Sequence, residues 1–430
     1  MLMTALPAVE AAAVESAGSI ELVPRPGTTI EFAGREYQGN VSIGGHGDGL
    51  AVVERVTLDA YLAGIREVPF SWEDAALQAQ AVAARTYLAW VLWNGGYRPG
   101  RTYGFDICAT DQCQVYAGTG LIQGPDGDRW AAAIAATAGE ILVYDDAPAQ
   151  SLYSSSAGTR TRSVEDVWGG DGVPYLTAVD SPEENVTPYW EWTISMPARV
   201  FGEVLAAGGH GLEGALKSVT VDQTDDGGGP WRVVVRAWTG ERRSLAPTRL
   251  RAVFNVHGPD LYPALFPARR PDGRRWPQTV LSYTFTAGLF GAEPPVREDL
   301  IPWLLPEDIP QAGRVEITGT GWGHGVGMSQ WGAQAMALAG SGFAEILGHY
   351  YGGLVPQPAD DLIPTGVAVG LAWRQEKVVV RSSGAFEAFV DGNSLGAFGP
   401  GTWTFFDSDG AVTYVAPDRY RGRFGAFWID

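Results

Sequence analysis

The chain has 430 residues, 45% hydrophobic and 11% aromatic, the balance of a globular protein with room for one large domain and an accessory one. A formal charge of −19 argues against a nucleic-acid binder and against simple adhesion to an anionic membrane. No apolar stretch of ~20 residues occurs, so no transmembrane helix is expected.

Residues 1–17 read as a disordered lead. Met1 to Glu10 makes a poor signal peptide, with no basic start and with Glu10 breaking a short apolar run. Strand-like runs follow at Ile20–Val23, Thr29–Phe32 and Leu50–Val53, set between glycine turns. A helix is predicted over about 73–93. Ser71 with Asp74 three residues on forms a capping pattern, the body is rich in alanine, and Leu77, Ala81, Ala84, Leu88 and Val91 recur at helical spacing. A second helix is predicted near 128–138, with strands over 140–180.

Residues 190–315 read as a β-rich insertion. It contains a hairpin of Ser218–Asp222 and Trp231–Arg236 around the turn Asp226-Gly227-Gly228-Gly229-Pro230. Pro-rich stretches at 258–277 and 293–310 read as irregular loops. Beyond about 355 the pattern is all-β, through Lys377–Arg381, Phe386–Val390 and Gly410–Val415, and Tyr420–Phe424 loosely echoes Tyr37–Val41. The expected fold is α+β: a mixed, β-rich domain over 18–355 with a long helix and a substrate cleft, then a C-terminal β module over 356–430.

The turn Arg66-Glu67-Val68-Pro69-Phe70-Ser71-Trp72 places one carboxylate just ahead of the long helix, and Arg85 lies further along that helix. A proton donor on a rigid platform beside a cation suits acid-assisted bond cleavage. Arg85 serves either as that cation or as a pin between the helix and a loop acid, since a buried guanidinium must be satisfied. Burial beside Phe70 and Trp72 would raise the Glu67 pKa, while the helix start and Arg85 would lower it.

Cys108 and Cys113 are the only cysteines, either a small disulfide loop or a reduced pair; no metal site is expected there, because no histidine lies within twenty residues. Glycines alternate from Gly319 to Gly327 without matching a nucleotide-binding pattern, and suggest close approach of backbone or ligand. His324 at their centre serves either a site or packing. Gln330 opens a helix whose expected core stripe is Met328, Trp331, Ala335 and Leu338, which would aim Gln330 at a cleft or leave it a cap. Ser154, Ser155 and Ser156 sit outside a nucleophile-elbow pattern, so hydroxyls lining a groove fit better than a serine hydrolase. Asp106, Glu165 and Asp166 are spare carboxylates.

The Glu-x-Pro-x-Ser-Trp turn and the helix string Ala79 to Tyr87 resemble the signature of the stage II sporulation protein D / amidase-enhancer (SpoIID/LytB) family. Further matches follow in order: Asp106-Ile107-Cys108, Gln114-Val115-Tyr116-Ala117-Gly118, Ala136 to Leu142, Tyr153 to Gly158 with Thr161 and Val167-Trp168, Gly321 to Ala333, and Ile346 to Tyr351. The resemblance covers roughly residues 30–355; the family's usual Gly-Gly pair is Ala157-Gly158 here. It implies an extracytoplasmic lytic transglycosylase that cleaves peptidoglycan glycan strands without water or cofactor, with Glu67 as acid and base and Arg85 as its partner. Ser155, Ser156, His324, Gln330, Gln114 and Tyr116 would be substrate contacts. The alternative it implies is a non-catalytic, glycan-binding enhancer of a cell-wall amidase.

Overall fold

The computed structural model describes residues 18–222, 224–293, 313–408 and 411–415. The expected lead over 1–17, most of the Pro-rich stretch at 293–310 and the segment Tyr420–Phe424 lie outside the described residues. The chain divides into two units, one from residues 1–72, 84–150 and 357–430, the other from 73–83 and 151–356.

In the first unit the early alternation becomes a seven-stranded sheet. Its order is Asn393–Phe398, Phe386–Val390, Ser19–Pro24, Asn40–His46, Gly49–Thr57, Gly366–Gln375 and Ile107–Cys108. Register carries the pattern across strands: Ile20 stands opposite Ile43 and Ile43 opposite Val52, all buried on one face. A five-stranded sheet runs Ala411–Val415, Gly401–Ser408, Lys377–Ser382, Ile30–Phe32 and Arg35–Tyr37. The C-terminal strands are therefore no separate module. Gly366–Gln375 pairs with Gly49–Thr57, and Phe386–Val390 with Ser19–Pro24, covering edges that the N-terminal strands alone would leave open.

The long helix spans Asp74–Trp93, with Leu77, Ala81, Ala84, Leu88 and Val91 buried as the spacing predicted. Its start lies later than the capping pattern suggested. Ser71 stands in the preceding turn, and the Glu73 amide at the helix entrance donates to Gln334 Oε1 at 3.0 Å. A second helix covers Gly127–Ala136. The expected strands of 140–180 shrink to two-residue pieces plus a short helix, Val164–Trp168.

In the second unit Arg314–Gly319 is flanked by Trp192–Pro197 and Phe285–Phe290, and Leu216–Val221, Val233–Ala237 and Arg242–Leu245 form another antiparallel sheet. The expected hairpin is present, with Val219 opposite Val235. The region is less purely β than its sequence suggested. Helices Ala198–Ala207 and Pro247–Leu261 cross it, joined by Phe201 and Phe254 at 5.0 Å between ring centres. Pro247 opens its helix where a missing N–H costs nothing, and the helix runs on through Pro259 into the stretch from 258 that the sequence reads as loop.

Candidate functional site

Glu67 sits in the turn between helix Leu58–Ala63 and helix Asp74–Trp93. Phe70 stacks on the buried Trp130 at 5.5 Å, Trp130 Nε1 donates to the Leu62 carbonyl at 2.9 Å, and Val68 and Trp72 are buried. The turn is thus fixed by its apolar residues while Glu67 itself stays half-buried. Its Oε1 accepts the Val115 amide at 2.7 Å, and the neighbouring Arg66 amide donates to the Val115 carbonyl at 2.8 Å. The Glu67 charge reaches Tyr61 and Tyr87, whose hydroxyls it makes harder to ionise after the larger effect of burial.

The extended segment Gln114–Tyr116 that clamps Glu67, bridged to Ile65 through Tyr116, is itself built on buried groups. Gln114 is fully buried, accepting from Tyr61 Oη at 2.7 Å and donating to the Ala84 carbonyl at 3.2 Å. Tyr116 is fully buried too, stacked on Tyr61 at 5.3 Å and donating to Glu54 Oε2 at 2.8 Å. Glycine is required at 64, because a Cβ there would meet the Tyr116 ring at 2.2 Å. Cys108 and Cys113 are joined in a disulfide immediately before this segment, which decides between the two sequence readings.

Arg85 faces elsewhere. Its guanidinium is buried and donates to the carbonyls of Thr137 at 2.8 Å, Glu140 at 3.1 Å and Ile134 at 3.2 Å, closing the end of helix Gly127–Ala136. Burial lowers its pKa, and the carboxylates that oppose this are Asp59 and Glu140. The pin reading, with backbone carbonyls in place of a loop acid, matches this geometry better than partnership with Glu67.

In the second unit the alternating glycines have a definite cause. Gly321, Gly323, Gly325 and Gly327 all adopt positive φ, and a Cβ would meet Ser156 O at 2.5 Å from Gly321, Ser154 Cβ at 2.7 Å from Gly323 and Leu152 O at 2.1 Å from Gly327. The segment lies flat against the serine-rich stretch, with Tyr153–Ser154 pairing in parallel with Met328–Ser329. His324 Nδ1 accepts the Val326 amide at 3.0 Å and the ring bonds the Tyr153 backbone. Burial pushes it down to about 4, so it is neutral, and no serine hydroxyl is paired with it to form a hydrolase couple.

Ser156 is buried, exchanging backbone bonds with Trp322 at 3.0 and 2.8 Å. Ser155 is half-buried, its carbonyl accepting from the Trp331 amide at 3.0 Å. Gln330 is buried and donates to Gln80 Oε1 at 3.3 Å; the expected stripe is corrected, since Leu338 is exposed while Gln334 is buried. Gln114, Tyr116, Ser156 and Gln330 are therefore enclosed, leaving Glu67, Ser155 and His324 the more accessible members of the predicted set.

Two glutamates escaped the sequence reading. Glu54 accepts Gly39 N at 2.8 Å as well as Tyr116 Oη, and burial pushes it up to about 7. Its signal was present: it alternates in phase with Leu50, Val52 and Val56 on a strand. Glu183 accepts Ala157 N at 2.8 Å and Ser329 Oγ at 3.1 Å, and burial likewise pushes it up to about 7. No local pattern marks Glu183, because its partners lie far off in the chain. Among the described residues no three His, Cys, Asp or Glu side chains group to hold a metal ion, and no helix is long and apolar enough to cross a membrane.

A family model described as stage II sporulation protein (SpoIID) matches residues 46–144, a stretch holding Glu67, Arg85, Gln114 and Tyr116. The chain is 26% identical over 321 residues to stage II sporulation protein D of Bacillus amyloliquefaciens, covering 72% of this chain and 77% of that one. An uncharacterized protein of Brachyspira hyodysenteriae is 29% identical, over 75% of this chain and 72% of its own. The amidase enhancer of Bacillus subtilis is 25% identical over 67% of this chain but only 38% of its own length. With a family-model match over residues 46–144 and relatives aligned over about three quarters of its length, the chain is similar to members of the SpoIID/LytB family.

Proposed function

We propose that this protein is a peptidoglycan lytic transglycosylase of the cell wall, with Glu67 as its single acid and base. The observation that carries the reading is the hold on that carboxyl: one oxygen fixed by the Val115 amide, on a turn anchored by Phe70 and Trp130. The second oxygen would deliver a proton to the glycosidic oxygen between N-acetylmuramic acid and N-acetylglucosamine. As that bond breaks, Glu67 takes the proton from the muramic C6 hydroxyl, whose oxygen bonds to the anomeric carbon and closes a 1,6-anhydro ring. The proton is conserved, water is not consumed, and one carboxyl suffices where a hydrolase needs two. Arg85, engaged with helix carbonyls, would act by fixing the fold around Glu67. Ser155 and His324 remain the proposed glycan contacts of the second unit, with Gln330 and Ser156 supporting them from within, while Gln114 and Tyr116 would act by supporting the Glu67 turn of the first unit. Cell-wall localisation outside the cytoplasm follows from the same reading.

The test is turnover of purified glycan strands by wild type and Glu67→Gln. Loss of general acid catalysis should slow cleavage by about a hundredfold or more. A variant that cuts at the wild-type rate would remove Glu67 from the mechanism. A second reading, a glycan-binding enhancer of a cell-wall amidase that does not itself cut, is favoured by the likeness to a protein named amidase enhancer. Stimulation of a wall amidase by a wild-type protein that leaves glycan strands intact would select it.

A further inference from the structure

The seven-stranded sheet of the first unit has two unlike faces. Alternation along Gly49–Thr57 sends Glu54 toward Tyr116 and the Glu67 clamp, and sends Val53 and Arg55 to the opposite side. On that opposite side Tyr103 and Phe105 pack over Ala51, Val53 and Ala368. Beside them opens a cavity of about 290 Å³, at the small end of ligand sites. The Tyr103 ring forms a fixed wall, its hydroxyl donating to Asp48 Oδ2 at 2.5 Å and accepting from Arg374 Nε at 2.9 Å. Gly18, Gly44, Gly45 and Gly104 line the rest with bare backbone.

Three side chains that line the cavity hold polar groups the fold does not use. Arg55 is exposed and makes no side-chain hydrogen bond or ion pair among the described residues. Glu21, half-buried, engages Oε1 with Asn40 Nδ2 at 3.1 Å, and its other oxygen has no partner among the described residues. The His46 ring folds back over Gly44 and lies across Tyr103 at 5.1 Å, its Nε2 likewise unbonded among the described residues. Glu21 stands opposite Ser42, and Ser42 opposite Val53, so Glu21 and Arg55 are two strands and two residues apart. That separation is about 12 Å between Cα atoms, and the two charges form no pair.

We propose that this cavity binds a short zwitterionic peptide, with its carboxylate on Arg55, its ammonium on Glu21 and its backbone over Gly44. A guanidinium meets a carboxylate through two parallel hydrogen bonds, which fixes that end. A simple anion would satisfy Arg55 and be repelled by Glu21, and a simple cation the reverse, so a ligand carrying both charges is selected. Each peptide residue adds about 3.5 Å between the two charges, so two residues span the gap better than one. The Ser42 hydroxyl and the His46 imidazole, on the strand between, are placed for the peptide group. The site lies on the sheet face opposite the Glu67 clamp and rests on no assumption about glycan cleavage.

The experiment titrates the full chain by calorimetry with four probes: dialanine, N-acetyl-dialanine, dialanine amide and free alanine. Dialanine should bind at least tenfold more tightly than each of the others. Arg55→Gln should weaken dialanine tenfold or more, to the level of the amide, and Glu21→Gln should weaken it to the level of the acetylated probe. Gly44→Leu fills the cavity at little cost to the fold. Its φ lies outside the left-handed region, and an added Cβ would approach the end of the His46 ring at 3.3 Å and no backbone atom closer than 4.0 Å. This variant should abolish binding, with a thermal melt to confirm that it folds; should it not fold, the two charge variants on the surface carry the test. Three results overturn the proposal: no binding of dialanine, equal binding of all four probes, or wild-type affinity in a folded Gly44→Leu protein. Free alanine binding as tightly as dialanine overturns the assignment to a peptide.

Discussion

The two units handle their carboxylates in opposite ways. Each buries one glutamate that burial raises to about 7, Glu54 in the first and Glu183 in the second. Around Glu54 the hydrogen bonds lead outward, through Tyr116 to the segment whose Val115 amide holds the half-buried Glu67. Around Glu183 they close inward on Ala157 and Ser329, and the glycine segment that leads to Ser329 carries the neutral His324 against Trp168. The first unit thus presents an acid on a rigid turn, whereas the carboxylates nearest Trp168 in the second, Glu165 and Asp166, lie on the short helix Val164–Trp168.

That contrast can be broken experimentally. The largest stability effect belongs to the second unit. Arg162 and Asp225 form an enclosed ion pair, and the Arg162 amide donates to Gly325 in the glycine segment at 2.7 Å. Arg162→Ala would leave Asp225 buried and uncompensated, a loss of about 3–5 kcal/mol in chemical denaturation. A loss below about 1 kcal/mol would show that water reaches this pair.

Next comes pH. Because Glu54 and Glu183 titrate higher folded than unfolded, the folded state binds more protons between about pH 4.5 and 7, so stability falls as pH rises through that window. Each contributes at most about 3 kcal/mol from pH 4.5 to above 7. Glu54→Gln and Glu183→Gln should each flatten the slope of unfolding free energy against pH. Parallel slopes in all three proteins would contradict the assignment.

The smallest effect is that of the disulfide. Its loop is short, so reduction should cost about 2 kcal/mol. Because Cys113 lies just before the clamp on Glu67, cleavage should fall further than the stability loss accounts for. Cys108→Ser/Cys113→Ser, assayed for both, checks this.

Features set by local chemistry were legible in the sequence. The alanine-rich helix, the glycine segment pressed on backbone and the hairpin at Val219 all follow from spacing or turn residues. What sequence hid depends on distant partners. Arg85 reads as a cation awaiting a carboxylate, yet the carbonyls that satisfy it belong to a helix about fifty residues on. Gln114 and Tyr116 read as polar groups ready for a sugar, and their partners Tyr61 and Glu54 become visible only when the chain folds. The C-terminal strands looked self-contained because alternation reveals a strand without naming its neighbour.

The most direct test of the central claim is the chemistry of the new glycan ends, read by mass spectrometry after wild-type protein acts on strands with and without stem peptides. A single acid and base at Glu67 predicts 1,6-anhydro-muramic ends from wild type and none from Glu67→Gln. Hydrated reducing ends would contradict it, and would require a second carboxylate and a water in the site.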